Sequence, residues 1–175
     1  MVTFARGLGA ARSGDSATAR QDLARLQALR EAMLAAKQHY WAEQAEIQRR
    51  VVAAWLARAA GKNHEALEGM QAAANLEDAT EKHPVTPGPL VPARELLGEM
   101  LLELKSSVQA LQAFEASHQV EPNRFQGLYG AARAAEVAGK REKARTLYTQ
   151  LVTLAGQTDS ERPELVEART FLAQR

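Results

Sequence analysis

The sequence predicts an all-α fold built of antiparallel helical hairpins, and three observations carry that prediction. Ala, Leu, Glu, Gln and Arg dominate, residues that lose little rotamer freedom in a helix, while β-branched residues are sparse and aromatics make up 5%. Gly14-Asp15, Gly61-Lys62 and Gly139-Lys140 each follow one apolar-periodic segment and precede another, as a glycine C-cap between antiparallel helices does. Finally, an alanine recurs with a larger apolar residue four positions on: Ala19/Leu23, Ala66/Met70, Ala110/Phe114 and Ala144/Tyr148. That spacing puts both on one helix face, the small one where two helices approach and the large one filling the adjoining gap.

The elements follow in order from these marks. Hairpins are expected over residues 2–36, 41–82, 91–120 and 123–155, because short links force neighbouring helices to pair. The second ends in His83-Pro84-Val85-Thr86-Pro87-Gly88-Pro89, whose three prolines deny the backbone helical hydrogen bonds. A last helix over 160–173 is expected to cap the array, with Ser160 as N-cap ahead of Pro163 and with Leu165, Ala168, Phe171 and Leu172 on one side. The whole of 1–175 reads as one domain.

Composition excludes several function classes. The 22 Lys and Arg nearly cancel the 21 Asp and Glu, and Arg49-Arg50 and Lys140-Arg141 are isolated pairs without interleaved aromatics, so no nucleic-acid partner is expected. Without cysteine there is no disulfide, thiolate metal site or thiol nucleophile, and the redox compartment stays open between cytoplasm and periplasm. No stretch approaches the roughly 18 apolar residues of a membrane span, and the opening MVTFARGLGA lacks a signal-peptide core, so membrane insertion is not expected. The elbow, phosphate-loop and zinc-helix motifs of common enzymes are missing, so neither a catalytic residue nor a cofactor is expected.

The third hairpin makes a resemblance explicit. Leu97-Gly98, Leu101, Ala110, Phe114 and Pro122 stand in the order of the tetratricopeptide repeat, and Ala110 to Ala144 spans 34 residues, that family's period. The fourth unit follows with Gly139, Ala144 and Tyr148, and carries the small residues Ala131, Ala132 and Ala135 in its first helix. The first two are looser: Ala19 to Ala66 is 47 residues and Ala66 to Ala110 is 44. Residues 81–89 and 94–98 also resemble a subfamily of larger, often exported bacterial tetratricopeptide proteins, of which this chain would be the C-terminal part. The resemblance implies a right-handed α-solenoid that holds a protein or peptide in its concave groove without catalysis of its own.

Carrying the family's groove positions over implies Phe4, Leu8 and Arg12 from the first unit and Gln48, Val51, Trp55 and Arg58 from the second. The third gives Glu95, Glu99 and Glu103, an acidic stripe at i, i+4 and i+8, and the fourth gives Gln126, Tyr129, Arg133 and Glu136. Apolar residues at Phe4, Leu8, Val51 and Trp55 replace the basic cluster of carboxylate-clamping members. An apolar anchor near Trp55 and Tyr129 with a basic residue near Glu99 is therefore the expected partner chemistry.

Two other classes stay open: a self-associating structural module, and a small-ligand or metal-binding domain using the loop at His83 and Thr86. His39, His64, His83 and His118 show no ligand spacing, which favours a structural or solvated role for His83 and predicts no metal. Tyr40 and Trp41 are expected to staple the long hairpin together rather than bind a partner.

Overall fold

The computed structural model describes residues 1–80, 88–156 and 162–174. Every regular element among them is an α-helix: α1 Val2–Ser13, α2 Ser16–Ala35, α3 His39–Ala59, α4 Asn63–Ala79, α5 Ala93–Glu103, α6 Ser107–Val120, α7 Phe125–Val137, α8 Arg141–Ala155 and α9 Pro163–Ala173. The all-helical class read from composition is the class found, and neighbouring helices pack on one another. The loop candidates His83 and Thr86 and the expected cap Ser160 lie outside the described residues.

Four of the links between helices are built alike. At each, the third residue past the helix donates its amide five positions back and the second donates three back. The pairs are Gln38 to Met33 with Lys37 to Leu34, Lys62 to Ala57 with Gly61 to Arg58, Ser106 to Leu101 with Lys105 to Leu102, and Lys140 to Ala135 with Gly139 to Glu136, all between 2.8 and 3.0 Å. This satisfies carbonyls left over at a helix end and requires a left-handed residue in the turn. Gly61 and Gly139 supply it at φ 77° and 71°, but Lys37 and Lys105 adopt φ 58° and 62° without a glycine's freedom.

The chain packs as two compact units, Met1–Leu96 and Leu97–Arg175, with α5 contributing to both. In the first, α1 packs on both α2 and α3, and α3 on α2 and α4. Gly7 is where α1 enters this wedge: a β-carbon there would stand 3.0 Å from that of Asp22 on α2 and 3.5 Å from both γ-carbons of Val52 on α3. Ala19 and Ala66 are fully buried, as is Met70, but Leu23 is only half-buried, with Asp22 and Leu26 taking the interior positions. Asp22 is tolerated there because Arg6 of α1 grips its carboxylate with two guanidinium nitrogens, the Nε at 2.7 Å. The start of α5 is fastened by the last turn of α4: the Glu77 carboxylate accepts from the Ala93 amide at 2.6 Å, and Arg94 pairs with Asp78 and reaches Asn75 at 3.2 Å.

In the second unit α6 packs on α7, α7 on α8 and α8 on α9. Ala110 and Ala144 are again fully buried, and Phe114 and Tyr148 fill the gaps beside them. The Phe114 ring lies between two glycines, close to Gly98 of α5 and Gly130 of α7. Tyr148 packs on Phe171 of α9, centroids 4.9 Å apart, and donates its hydroxyl to Glu136 at 2.8 Å. The C-terminal end of α9 is fastened by Arg145, which donates to the Leu172 and Gln174 carbonyls at 3.2 and 2.7 Å.

Candidate functional site

A concave opening lies within the second unit. It is a trench of about 580 Å³ whose walls are α6 and α8 and whose floor is α7. Gly127, Leu128 and Ala131 form the floor, the glycine and alanine keeping it deep and the leucine keeping it apolar, and Leu147 of α8 extends the apolar surface up one wall. The rims are polar: Glu115, His118 and Gln119 on α6 face Lys143, Thr146 and Gln150 on α8. Lys143 and Glu115 form an ion pair across the gap. The α8 residues fall at i, i+3, i+4 and i+7, so the opening follows that helix for two turns, about 10 Å. An apolar floor between polar rims of this length accepts a side-chain row from a helix or extended segment.

None of the trench residues came from carrying over the groove positions, which project the first helix of each hairpin. Their signal was present in the sequence as the apolar Gly127-Leu128 and Ala131 facing the period of Lys143, Leu147 and Gln150. Reading it required knowing that α6 and α8 leave a gap above α7.

The expected groove residues divide sharply by burial. Phe4, Val51 and Trp55 are 3%, 1% and 3% exposed, and Leu8 is buried with them. They are therefore core residues and not surface anchors, because α1 lies directly on α3 and the two faces cover each other. Arg12 is exposed and lays its guanidinium 4.5 Å from the centre of the Trp55 ring, while half-buried Arg58 reaches Asn63 at 3.4 Å. The indole nitrogen of Trp55 is buried without a hydrogen-bond partner. The acidic stripe is also corrected: Glu95 is 1% exposed, Glu99 half-buried and Glu103 exposed, so only one end of it faces solvent.

On α7 the predicted residues do come together, but with α9. Tyr129 donates to the Glu167 carboxylate at 2.6 Å, Arg133 pairs with the same carboxylate at 2.8 Å and donates to the Tyr129 hydroxyl at 3.2 Å, and Gln126 reaches Glu164 at 3.2 Å. Desolvation, aided by the Glu167 charge, raises the Tyr129 hydroxyl above its ordinary pKa. Burial pushes Tyr148 up further still, reinforced by its bond to Glu136. Neither phenol is prepared to act as a base at neutral pH. Tyr40 and Trp41 stack edge to face at 5.1 Å on the first turn of α3, where Trp41 remains 41% exposed instead of being packed into the hairpin.

Among the described residues no group of three or more His, Asp or Glu side chains is placed to hold a metal ion, and no helix is long and apolar enough to cross a membrane. Comparison of the chain with family models, with curated proteins and with solved structures finds no match in any of the three.

Proposed function

We propose that the chain is a tetratricopeptide-type protein-interaction scaffold, without catalysis of its own, that holds a segment of another protein in the trench between α6 and α8. The observation that carries this reading is the apolar floor of Gly127, Leu128 and Ala131 between polar rims that run for two turns of α8. Such an arrangement supplies apolar burial at the centre and water exclusion at the edge, the usual anatomy of a peptide groove. The repeat assignment draws support from Ala19, Ala66, Ala110 and Ala144, all 0% exposed at the close-approach position. It also draws support from the 34-residue step between the last two.

Site-specific photo-crosslinking in an extract of the native cells tests it. A photoreactive residue at Thr146 or Gln150 is expected to capture one partner, the same residue at His64 on α4 is not, and Leu147→Glu should abolish the adduct. Equal adducts at all three positions, or none at Thr146 and Gln150, would remove the trench as a binding site.

A further inference from the structure

Arg49-Arg50 looks isolated in the sequence, but folding places a third arginine and one acid beside the pair. Glu46 stands one turn before them on α3, and Arg30 reaches it from α2. Arg49 bonds both carboxylate oxygens, with Nε and a terminal nitrogen each at 2.8 Å; Arg50 donates its Nε at 2.7 Å, and the Arg30 Nε lies at 3.4 Å. Glu46 is 12% exposed, whereas Arg30, Arg49 and Arg50 are 35%, 29% and 40% exposed. One carboxylate thus sits inside three guanidiniums that share no other acid among the described residues, and two positive charges are left over. The surroundings have the same sign: residues 1–59 hold nine Lys and Arg against five Asp and Glu, a balance of +4.

Each guanidinium has five N–H groups; Arg49 and Arg50 spend only their inner ones on Glu46, and Arg30 meets it as an ion pair. The outer edges remain available as planar forks, a geometry that matches carboxylates. A single anion at the centre would meet the Glu46 charge, so the arrangement favours separate carboxylates, one toward Arg30 and one toward Arg49 and Arg50. We propose that Arg30, Arg49 and Arg50, oriented by Glu46, form a docking site for an acidic segment of a partner protein carrying at least two carboxylates. Glu46 is then a positioning residue: it fixes the forks without touching the ligand. Its carboxyl is held down at about 2, chiefly by the hydrogen bonds from Arg49, and so stays ionised across the working pH range. This site lies in the first unit and does not depend on the trench, so failure of the crosslinking experiment leaves it standing.

The test is fluorescence anisotropy of a labelled peptide of alternating Asp and Gly at low ionic strength with the full chain. Arg30→Gln and Arg50→Gln are each expected to weaken binding at least about fivefold, and Arg20→Gln, the same charge change on an exposed part of α2, less than twofold. Glu46→Gln decides between a built site and a diffuse positive field. It adds net positive charge, so a field would bind the peptide more tightly, whereas loss of orientation weakens it. Arg30→Gln leaves the Glu46 bonds to Arg49 and Arg50 in place and keeps the test valid if Glu46→Gln unfolds, which circular dichroism reports. Tighter binding by Glu46→Gln, an equal loss from Arg20→Gln, or no binding at all would overturn the proposal. So would stoichiometric displacement of the peptide by millimolar inorganic phosphate, or a single-stranded oligonucleotide binding more tightly through the same arginines.

Discussion

The ring of Phe114 occupies the space in which a β-carbon on Gly130 would stand, its Cζ and Cε1 both far inside van der Waals contact of that position. Gly98 approaches the other side of the ring, where a β-carbon would lie 2.7 Å from Cε2. The ring is 1% exposed and held between two helices, with no free direction in which to yield.

Alanine at Gly98 or Gly130 is therefore expected to destabilise the fold by about 1–3 kcal/mol through overpacking. A methyl group at Gly9 on α1 would have nothing within 4 Å of it, so Gly9→Ala should stabilise by about 0.5–1 kcal/mol from helix propensity alone. Urea unfolding of the three variants measures both signs in one experiment.

Acid titration should expose Glu46. Its folded pKa, about 2, lies below the unfolded value of about 4.3, so its contribution is present above the unfolded pKa and is lost as pH falls through the folded one. Discounted for the cluster's contact with solvent, this is about 1 kcal/mol. Between pH 4.5 and pH 2 the parent chain should lose that much more stability than Glu46→Gln, read from the difference in their urea midpoints.

Arg6→Ala should reverse the pH response at Asp22. In the parent chain the hydrogen bonds from Arg6 hold the Asp22 pKa below its ordinary value, so acid weakens the fold. Without Arg6 the buried carboxylate is disfavoured as an anion and its pKa rises above the unfolded one. The variant is expected to melt several degrees lower at pH 7, and to recover part of that loss on acidification towards pH 5 or in the double variant with Asp22→Asn. Thermal melts across pH decide it.

Lys37→Gly and Lys105→Gly should each stabilise by about 0.5–1 kcal/mol, since both lysines hold a left-handed conformation that costs an L-residue and not glycine. Lys62→Gly, beside a turn that already has its glycine, is the control and should not stabilise.

The same turns show what was legible in the sequence. Gly61 and Gly139 announced their links, whereas those at Lys37 and Lys105 had no glycine to betray them and were placed only by the periodicity on either side. The four alanines of the recurring pair were readable because a position with no room accepts few other residues, and all four are buried. The large partner was less secure: Leu23 is only half-buried because Asp22, held by Arg6, takes the interior position beside it, an event no spacing announces. Groove positions were least readable. Burial of Phe4, Val51, Trp55 and Glu95 depends on which helix lies across them, and sequence period gives the face of a helix but not its neighbour.

The bond from Ala93 to Glu77 ties the start of α5 to the end of α4. That amide is one of those the first turn of α5 leaves over, so its acceptor has to come from outside the helix, and the Glu77 side chain supplies it. In the finished protein the Ala93 amide becomes a reporter for its neighbour: whenever the end of α4 frays, that hydrogen loses its acceptor and is open to exchange with solvent deuterium.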